Sequence, residues 1–515
     1  MQDGRLQDKA RAARTQSARH VARITALLVV FALLSLFYSV TVPLFEAPDE
    51  PWHFNYVRYV AQGRGLPSML NNDSGAYQEV GQPPLYYLIA GLATAPIPSD
   101  DLRGLTLHNP GFGYQAPGTV NDNKNLMVHT EREAFPWRGA TLAIHLARLV
   151  SLAFGALAVL AAWGLAREVC PDSDLIPLAT AAMVAFTPQF VFASGVTSND
   201  SSAAALSTAA LWAIARMMRL GVTYRRAALT GLLVGLASLT KTSTILLGVF
   251  ALFAVFLGGL GPQSVKDVRN APTALRAMTV LVLSALAAGG WWYARNGLLY
   301  RDPLGLGVHL NTPWARLEQI SMAAVLQTMP LAYRSFWGAF GWGNVEMSAW
   351  IYAAIGVTLV ASAAGWMLRF WILDFGFRSV DRGKSPTVIR NQDARRAILM
   401  MCTLWCGAIF ISFLRWNQQV EAPHGRLLFP VIGAFALLLV VGLARLPRPR
   451  VVLGGVVAGF FMLSLAVPFA FIRPAYARPE LLPADQVAAR SGHAKRSREA
   501  ALCSMAMKRG WWVSR

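Results

Sequence analysis

The sequence predicts an all-α integral membrane protein with about eleven transmembrane helices and a long first outer loop. The 515 residues are 55% hydrophobic and only 14% charged, which is too little polar composition for the surface of a soluble protein of this size. Apolar runs of about eighteen or more residues recur along nearly the whole chain, and each is long enough to cross the hydrocarbon core as a helix. Lys and Arg concentrate in short connections between these runs, as positive-inside orientation requires.

The predicted helices follow one another closely along the chain. Residues 1–23 are polar and basic, and no small-residue cleavage site follows the next apolar run, so we expect a cytoplasmic tail and an uncleaved first span. The spans are predicted at 24–44, 141–166, 175–196, 201–218, 226–240, 243–261, 275–296, 349–373, 397–414, 427–444 and 451–472. The polytopic domain then covers 24–473, with its first outer loop at 45–140 and a C-terminal tail at 474–515.

Two segments fit this topology less well. The stretch "QPPLYYLIAGLATAPIP" at 82–98 is apolar, but it is short and bounded by prolines, so we expect an interfacial or re-entrant helix there. If this stretch crossed the membrane, every later loop would change side. The tail beyond residue 473 is basic and yet falls on the outer side, against the charge rule.

The net charge of +20 does not indicate a nucleic-acid-binding protein. The basic residues lie in loops between apolar runs, and no basic domain interleaved with aromatic residues accompanies them. Nucleic acid is therefore not expected as a partner. Cys402 and Cys406 share one face of a predicted helix, which favours small-residue packing over a disulfide.

Polar motifs that are neither apolar nor basic collect at the predicted outer face. They are "EAPDEPWHF", "TSND", "TKTS", "ARNGLLYRDPLG", "FWGAFGWGN" and "EAPHGR". Acids, amides and bases gathered at the ends of several helices on one membrane face indicate a functional site.

The acids of this face have a structural and a functional interpretation. Asp49 and Asn199 or Asp200 stand where each can cap a following helix, and Pro51 suits a first helical turn. Carboxylates at a membrane surface can also take a proton from a hydroxyl or hold a divalent cation such as Mg or Mn. The sequence therefore predicts Asp49 and Glu50 as catalytic residues, and Asp49 with Asp200 as a metal-binding pair.

The cations of the same face are interpreted in a similar way. Lys241 and Arg295 are either snorkelling interfacial residues or anion ligands. His424 and Arg426 precede a predicted helix, whose dipole favours anions. Arg148 lies about two turns inside a predicted span and requires an anionic partner there.

Most tryptophans at the outer helix ends are interpreted as membrane-interface anchors, and a subset can stack on a sugar ring. These are Trp291, Trp292, Trp337, Trp342 and Trp350.

The order of these motifs resembles the GT-C superfamily of polytopic glycosyltransferases. Runs similar to "PDEPWHF", "SND", "LTKTS", "ARN", "DPLG", "FWGAFGW" and "GRLLFP" occur in this order in a bacterial branch of that superfamily, over residues 25 to 445. The resemblance implies a first loop with two interfacial helices, a polyprenyl-phosphate-linked sugar donor, and transfer to an envelope glycan, lipid or protein at the outer face of the inner membrane.

The resemblance also implies roles for individual residues. The acid after the first helix, Asp49, becomes the general base, and Arg295 and Arg426 become contacts for the lipid phosphate. His53 and Gln82 fall in motifs of the substrate site. Gln82 stands where many members carry Lys or His, which removes a cationic phosphate contact from this loop.

Two other functions remain open at this level. Intramembrane charges and proline-broken helices are equally natural in a transporter of lipids or polysaccharides, although the two halves of this chain show no corresponding broken helices. A non-catalytic scaffold for envelope assembly is the third possibility. Substitution of Asp49 and Glu50 without loss of phenotype would favour the scaffold.

Overall fold

The computed structural model describes residues 2–70, 73–109, 112, 123–259, 271–375 and 386–476, and these are largely helical. In the first half the α-helices are Gln2–Thr41, Glu50–Ala61, Leu85–Thr94, Gly139–Val169, Leu175–Ala185, Pro188–Ser194, Asp200–Leu220, Tyr224–Ser238 and Leu247–Gly259. In the second half they are Ala271–Ala285, Trp291–Tyr300, Gly307–Leu310, Met322–Gln327, Met329–Trp337, Ala349–Phe375, Pro386–Gln419, Ile432–Leu443, Pro449–Val467 and Arg473–Ala475. Strands Ala339–Phe340 and Val345–Glu346 pair antiparallel. Most of the predicted C-terminal tail lies outside the described residues.

The predicted all-α membrane class is confirmed, whereas the count of eleven spans is not. Within the described ranges, seven helices are long and apolar enough to cross a membrane, and the bent pair Leu175–Ala185 and Pro188–Ser194 makes eight if it is one span. Each of the eleven predicted segments nevertheless contains a helix. Eight of the eleven predicted spans are accounted for in this way. The helices in the remaining three predicted spans are Asp200–Leu220, Tyr224–Ser238 and 242–256, and each is too polar or too short to count as a membrane span by length and hydropathy.

Helix Asp200–Leu220 shows why apolar length is an incomplete criterion. Its hydroxyl residues, among them Ser207 and Thr208, are fully buried against neighbouring helices. Because such a helix faces protein instead of lipid, it does not require large apolar side chains. Packing is close: a Cβ on Gly433 would lie 2.3 Å from Cγ2 of Thr208.

The first outer loop folds against the end of the first helix. It contains the two helices that the resemblance implies, Glu50–Ala61 and Leu85–Thr94, joined by stacked rings of Tyr56 and Tyr87 whose centroids are 3.9 Å apart. Leu85–Thr94 has ten residues, which at about 1.5 Å per residue is too short to span, as predicted for an interfacial helix. The loop therefore forms a packed layer over one end of the helical bundle.

A buried histidine between two glutamates fastens the later part of this loop. Nε2 of His129 lies 3.1 Å from Glu46, and Nδ1 lies 2.9 Å from Glu133. Glu46 also accepts the backbone N–H groups of Leu126 and Met127 at 2.9 and 2.8 Å. Glu46 lies three residues before Asp49. The contacts among Glu46, His129 and Glu133 therefore connect the later part of the loop to the segment that carries Asp49.

The tryptophans divide into two groups. Trp291 and Trp350 are 40% and 71% exposed, as interface anchors should be. Trp292 and Trp337 are buried in the protein, so the anchor interpretation is wrong for these two. Cys170, Cys402 and Cys406 are free thiols, as expected from helix packing.

Candidate active site

Asp49 occupies the N-cap position of helix Glu50–Ala61, but its side chain does not cap the helix. Its carboxylate accepts hydrogen bonds from the guanidinium of Arg426 and, at 3.3 Å, from Nε2 of Gln78. The interpretation that Asp49 only caps the helix is therefore wrong. Its backbone has φ 63°, in the left-handed region that Asp adopts more readily than most residues with a side chain.

Asp200 is the second acid, and it is held by two cations. Oδ1 of Asp200 accepts from Nζ of Lys241 at 2.7 Å, and Oδ2 accepts from Nη1 of Arg426 at 3.1 Å. Arg426 thus joins Asp49 and Asp200 in one site, although the two lie 151 positions apart in the sequence. Neither cation snorkels to the interface, because each is paired with a buried carboxylate.

Hydrogen bonds of Asn199 connect the segment that contains Gln82 with the segment that contains Thr240. Nδ2 of Asn199 lies 3.3 Å from Oε1 of Gln82 and 3.2 Å from the carbonyl oxygen of Thr240. Asn199 is the N-cap residue of helix Asp200–Leu220, yet its side chain makes no capping bond. The motifs "QPP", "TSND" and "TKTS" therefore meet beside Asp200.

A second group of titratable side chains adjoins Asp49. Nδ1 of His53 lies 2.8 Å from the hydroxyl of Tyr87 and 3.3 Å from Oε2 of Glu79. The hydroxyl of Tyr87 donates to the same Glu79 oxygen at 3.2 Å. Asp49, His53 and Glu79 each offer one ligand atom, and these three atoms lie within 4.8 Å of one another, which is close enough to hold a metal ion. The sequence reasoning missed Glu79 and Tyr87, because nothing in the loop sequence distinguishes "QEVGQ" or "LYY".

The charge state of these groups follows from their burial. Burial, and after it the nearby charge of Asp49, raises the pKa of Glu79 to about 8. Burial also raises the pKa of Asp49, but Arg426 and His53 outweigh this effect and hold it below its usual range. At neutral pH Asp49 is therefore ionised and Glu79 is protonated.

Three histidines of the polar face are neutral at the same pH. Burial lowers the pKa of His53 to about 4, and burial with the charge of Arg426 does the same for His424. Burial likewise lowers the pKa of His309 to about 4, while the charge of Asp49 raises it.

Glu50 and Arg148 form a fully buried ion pair next to the site. Nε and Nη2 of Arg148 each lie 2.8 Å from one oxygen of Glu50, so the anionic partner that Arg148 requires is Glu50 and not a substrate. The Glu50 oxygens also accept the backbone N–H groups of Phe45 at 3.0 Å and Thr197 at 2.8 Å. These contacts leave Glu50 little capacity for a substrate and join the first helix to the start of "TSND".

Arg295 packs against two aromatic rings. Its guanidinium is 5.3 Å from the ring centre of Trp292 and 5.4 Å from that of Tyr300. Nη1 donates to Oδ1 of Asn296 at 3.1 Å. In the part of the chain that the structure describes, no carboxylate pairs with Arg295.

Residues 143–292 match the family described as dolichyl-phosphate-mannose-protein mannosyltransferase. The resemblance to GT-C glycosyltransferases is confirmed. The matched segment contains Arg148, Asp200 and Lys241, whereas Asp49 and Arg426 lie outside it. None of the curated proteins compared with the chain matches it.

Several solved structures align with most of this chain at low sequence identity. A crystal structure of ArnT from Cupriavidus metallidurans bound to undecaprenyl phosphate is 15% identical, covers 94% of this chain and 72% of that chain, and has a TM-score of 0.47. The oligosaccharyltransferase of Archaeoglobus fulgidus in its apo form is 14% identical, with coverage of 88% and 55% and a TM-score of 0.41. Its complex with Zn and sulfate is 14% identical, with coverage of 88% and 52% and a TM-score of 0.39. The chain thus spans about half the length of the archaeal enzyme.

Proposed function

We propose that this multi-pass membrane protein is a glycosyltransferase that moves a sugar from a polyprenyl-phosphate-linked donor to an envelope glycan, lipid or protein. The reaction would take place at the outer face of a bacterial inner membrane. One observation carries the proposal: Arg426 bridges Asp49 and Asp200, with Lys241 on the second acid. A transfer with a phosphate leaving group requires such a combination of a base and cations.

In this proposal Asp49 is the general base. Its carboxylate takes the proton of the acceptor hydroxyl while the hydroxyl oxygen bonds to the anomeric carbon of the donor sugar. The bond from that carbon to the phosphate oxygen breaks, and the polyprenyl phosphate leaves with the electron pair. The sugar is transferred with inversion, and the proton passes from Asp49 to water.

The pairing with Arg426 makes the basicity of Asp49 depend on whether the donor is bound. A carboxylate with a lowered pKa is a weak base. The donor phosphate competes with Asp49 for the guanidinium of Arg426, since phosphate and carboxylate bind the same planar fork. Binding of the donor would thus release the Asp49 carboxylate and strengthen it as a base only when the substrate is present.

The remaining residues have supporting roles in this proposal. Lys241, His424 and Arg426 surround the phosphate, and Arg295 is available for a phosphate oxygen because no described carboxylate pairs with it. His53 and Gln82 position the groups around the acids. Glu50 and Arg148 hold the first helix and its acidic end in place.

A metal ion has a better-fitting ligand set than the predicted pair of Asp49 and Asp200. The guanidinium of Arg426 already lies between those two acids. Asp49, His53 and Glu79 offer two carboxylates and a neutral imidazole, a set that suits Mn²⁺ or Zn²⁺ better than Mg²⁺. An ion held there would polarise the acceptor hydroxyl, after Glu79 has lost its proton.

The test is the release of free polyprenyl phosphate, measured by mass spectrometry, from detergent-solubilised protein with lipid-linked sugars and envelope extract. Asp49→Asn should lower the rate by about 10²–10⁴-fold, the usual contribution of a general base. Asp73→Asn is the matched control, because Asp73 lies in the same outer loop and pairs at 3.3 Å with the exposed Arg64. An unchanged rate in Asp49→Asn would refute the assignment of the base. No release by wild-type protein would favour a transporter or a scaffold.

A further inference from the structure

A cavity of about 380 Å³ opens in the outer layer beside the acids. It lies between the turn Tyr77–Gly81 and the segment 300–312. Its lining includes Tyr77, Gln78, Asp302, Asn311 and Thr312. We propose that this cavity and the aromatic row beside it form a saccharide-binding subsite, an inference that rests on the proposed function.

Gln78 connects the cavity to the catalytic acid. Its side chain is 6% exposed, and its Nε2 donates to Oδ1 of Asp49 at 3.3 Å. Its Oε1 is buried and has no hydrogen-bond partner among the described residues. A buried amide oxygen without a partner is costly, and a sugar hydroxyl in the cavity supplies the missing donor. The same amide group would then touch both the sugar and the base.

A row of three aromatic rings leads away from the cavity and begins at Tyr77, which lines it. The ring centres of Tyr77 and Trp52 are 5.5 Å apart, and those of Trp52 and Trp342 are 5.6 Å apart. All three residues are partly exposed, in contrast to the buried Trp292 and Trp337. Trp52 is the third residue after Asp49 and lies in the first turn of helix Glu50–Ala61. Flat, half-exposed rings fit the apolar C–H face of a pyranose.

The charges of the cavity favour a neutral sugar over a phosphate. No Lys, Arg or His is among the described lining residues, whereas Asp302, Asn311 and Thr312 offer oxygens and an amide to hydroxyl groups. Asp302 is fixed by the N–H groups of Gly305 at 3.0 Å and Gly307 at 2.7 Å. A phosphate would meet a carboxylate here, while the cations that suit it lie at Arg426 and Lys241. The saccharide is therefore either the donor's sugar or part of the acceptor.

Saturation-transfer NMR on the full-length protein in detergent tests the subsite with two probes. One probe is the saccharide pool cleaved from polyprenyl lipids by mild acid, and the other is the pool cleaved from envelope glycans and lipids. Trp52→Ala and Trp342→Ala should each weaken binding roughly two- to tenfold, as expected for the loss of an aromatic contact. Trp52→Phe should restore most of it. Trp350→Ala is the control, because Trp350 is 71% exposed and belongs to neither the cavity nor the row.

The outcomes separate this inference from the proposed function. If Trp52→Ala and Trp342→Ala weaken binding of the saccharides from polyprenyl lipids, the result supports the subsite and assigns the donor sugar to it. If they weaken binding of the saccharides from envelope glycans and lipids, the result supports the subsite and assigns the acceptor to it. Equal binding by wild type and all variants, or no binding by wild type, overturns the subsite even if polyprenyl phosphate is released. If the two alanine variants weaken saccharide binding but the wild-type protein releases no polyprenyl phosphate, the result supports the subsite and overturns the transferase.

Discussion

Replacing Arg148 by glutamine is expected to destabilise the protein by roughly 3–5 kcal/mol, the usual cost of removing one partner of a buried ion pair. Arg148 and Glu50 have no exposed side-chain surface. The guanidinium makes two bonds to Glu50 and three to the carbonyl groups of Ser39, Val42 and Pro43. Glutamine is too short to reach these acceptors together, so the Glu50 carboxylate would retain only two backbone N–H partners.

The assay is the free energy of unfolding from titration with sodium dodecyl sulfate in mixed micelles, followed by tryptophan fluorescence. Arg23→Gln is the control, since Arg23 is 54% exposed and pairs at 3.1 Å with Asp174, which is 41% exposed. That variant should change stability by about 0–1 kcal/mol. The double variant Glu50→Gln with Arg148→Gln should be less destabilised than the sum of the single variants, by about 0.5–3 kcal/mol.

Two results would refute this reasoning. If Arg148→Gln unfolded at the wild-type detergent concentration, the pair would not hold the first helix to the bundle. If Glu50→Gln kept its stability and lost transfer, Glu50 would act in catalysis, as its position next to Asp49 predicted from the sequence.

Three further perturbations test the charges around the site. Because the pKa of Glu79 lies at about 8, wild-type transfer measured with a metal chelator present should fall as pH rises through 8, where Glu79 places a second negative charge beside Asp49. Glu79→Gln should lack this decline, and identical pH–rate profiles would contradict the assignment. Although burial lowers the pKa of His129, hydrogen bonds to Glu133 and Glu46 raise it to about 9. Protonated His129 therefore stabilises the folded protein fully below about pH 6.5, and this contribution is lost as pH rises through 9. His129→Gln should therefore destabilise the protein at pH 6 more than at pH 10, and an equal loss of unfolding free energy at both would count against this. Lys241→Met should lower transfer by about 10²–10³-fold, with partial recovery in Lys241→Arg, if Lys241 stabilises the leaving phosphate; wild-type release by Lys241→Met would exclude that role.

The distribution of apolar and polar residues predicted where helices form but not how many of them face lipid. Each of the eleven predicted segments contains a helix, because backbone groups in an apolar environment must be bonded within the helix. Helix Asp200–Leu220 was assigned as a span, yet its buried Ser207 and Thr208 show that it lies among other helices. Hydropathy measures the preference for lipid, and neighbouring helices replace lipid in the centre of a bundle.

The candidate site was predicted in part. Acids at the starts of two helices predict a base or metal ligand at Asp49 and Asp200, and cations at outer helix ends predict anion ligands at Lys241 and Arg426. The structure brings these four side chains together. Their actual pairing could not be predicted, since contacts across hundreds of residues depend on how the helices pack.

The sequence by itself determined the membrane class, the positions of the helical segments and the polar ends from which a site can be built, because these follow from local composition and from the cost of unpaired charges in a membrane. Only the tertiary structure decided that Arg148 neutralises Glu50, that Arg426 links Asp49 to Asp200, and that Glu79 joins them. The physical reason is distance: Coulomb and hydrogen-bond interactions act over a few ångströms, and which side chains come that close is fixed by packing between segments far apart in the chain.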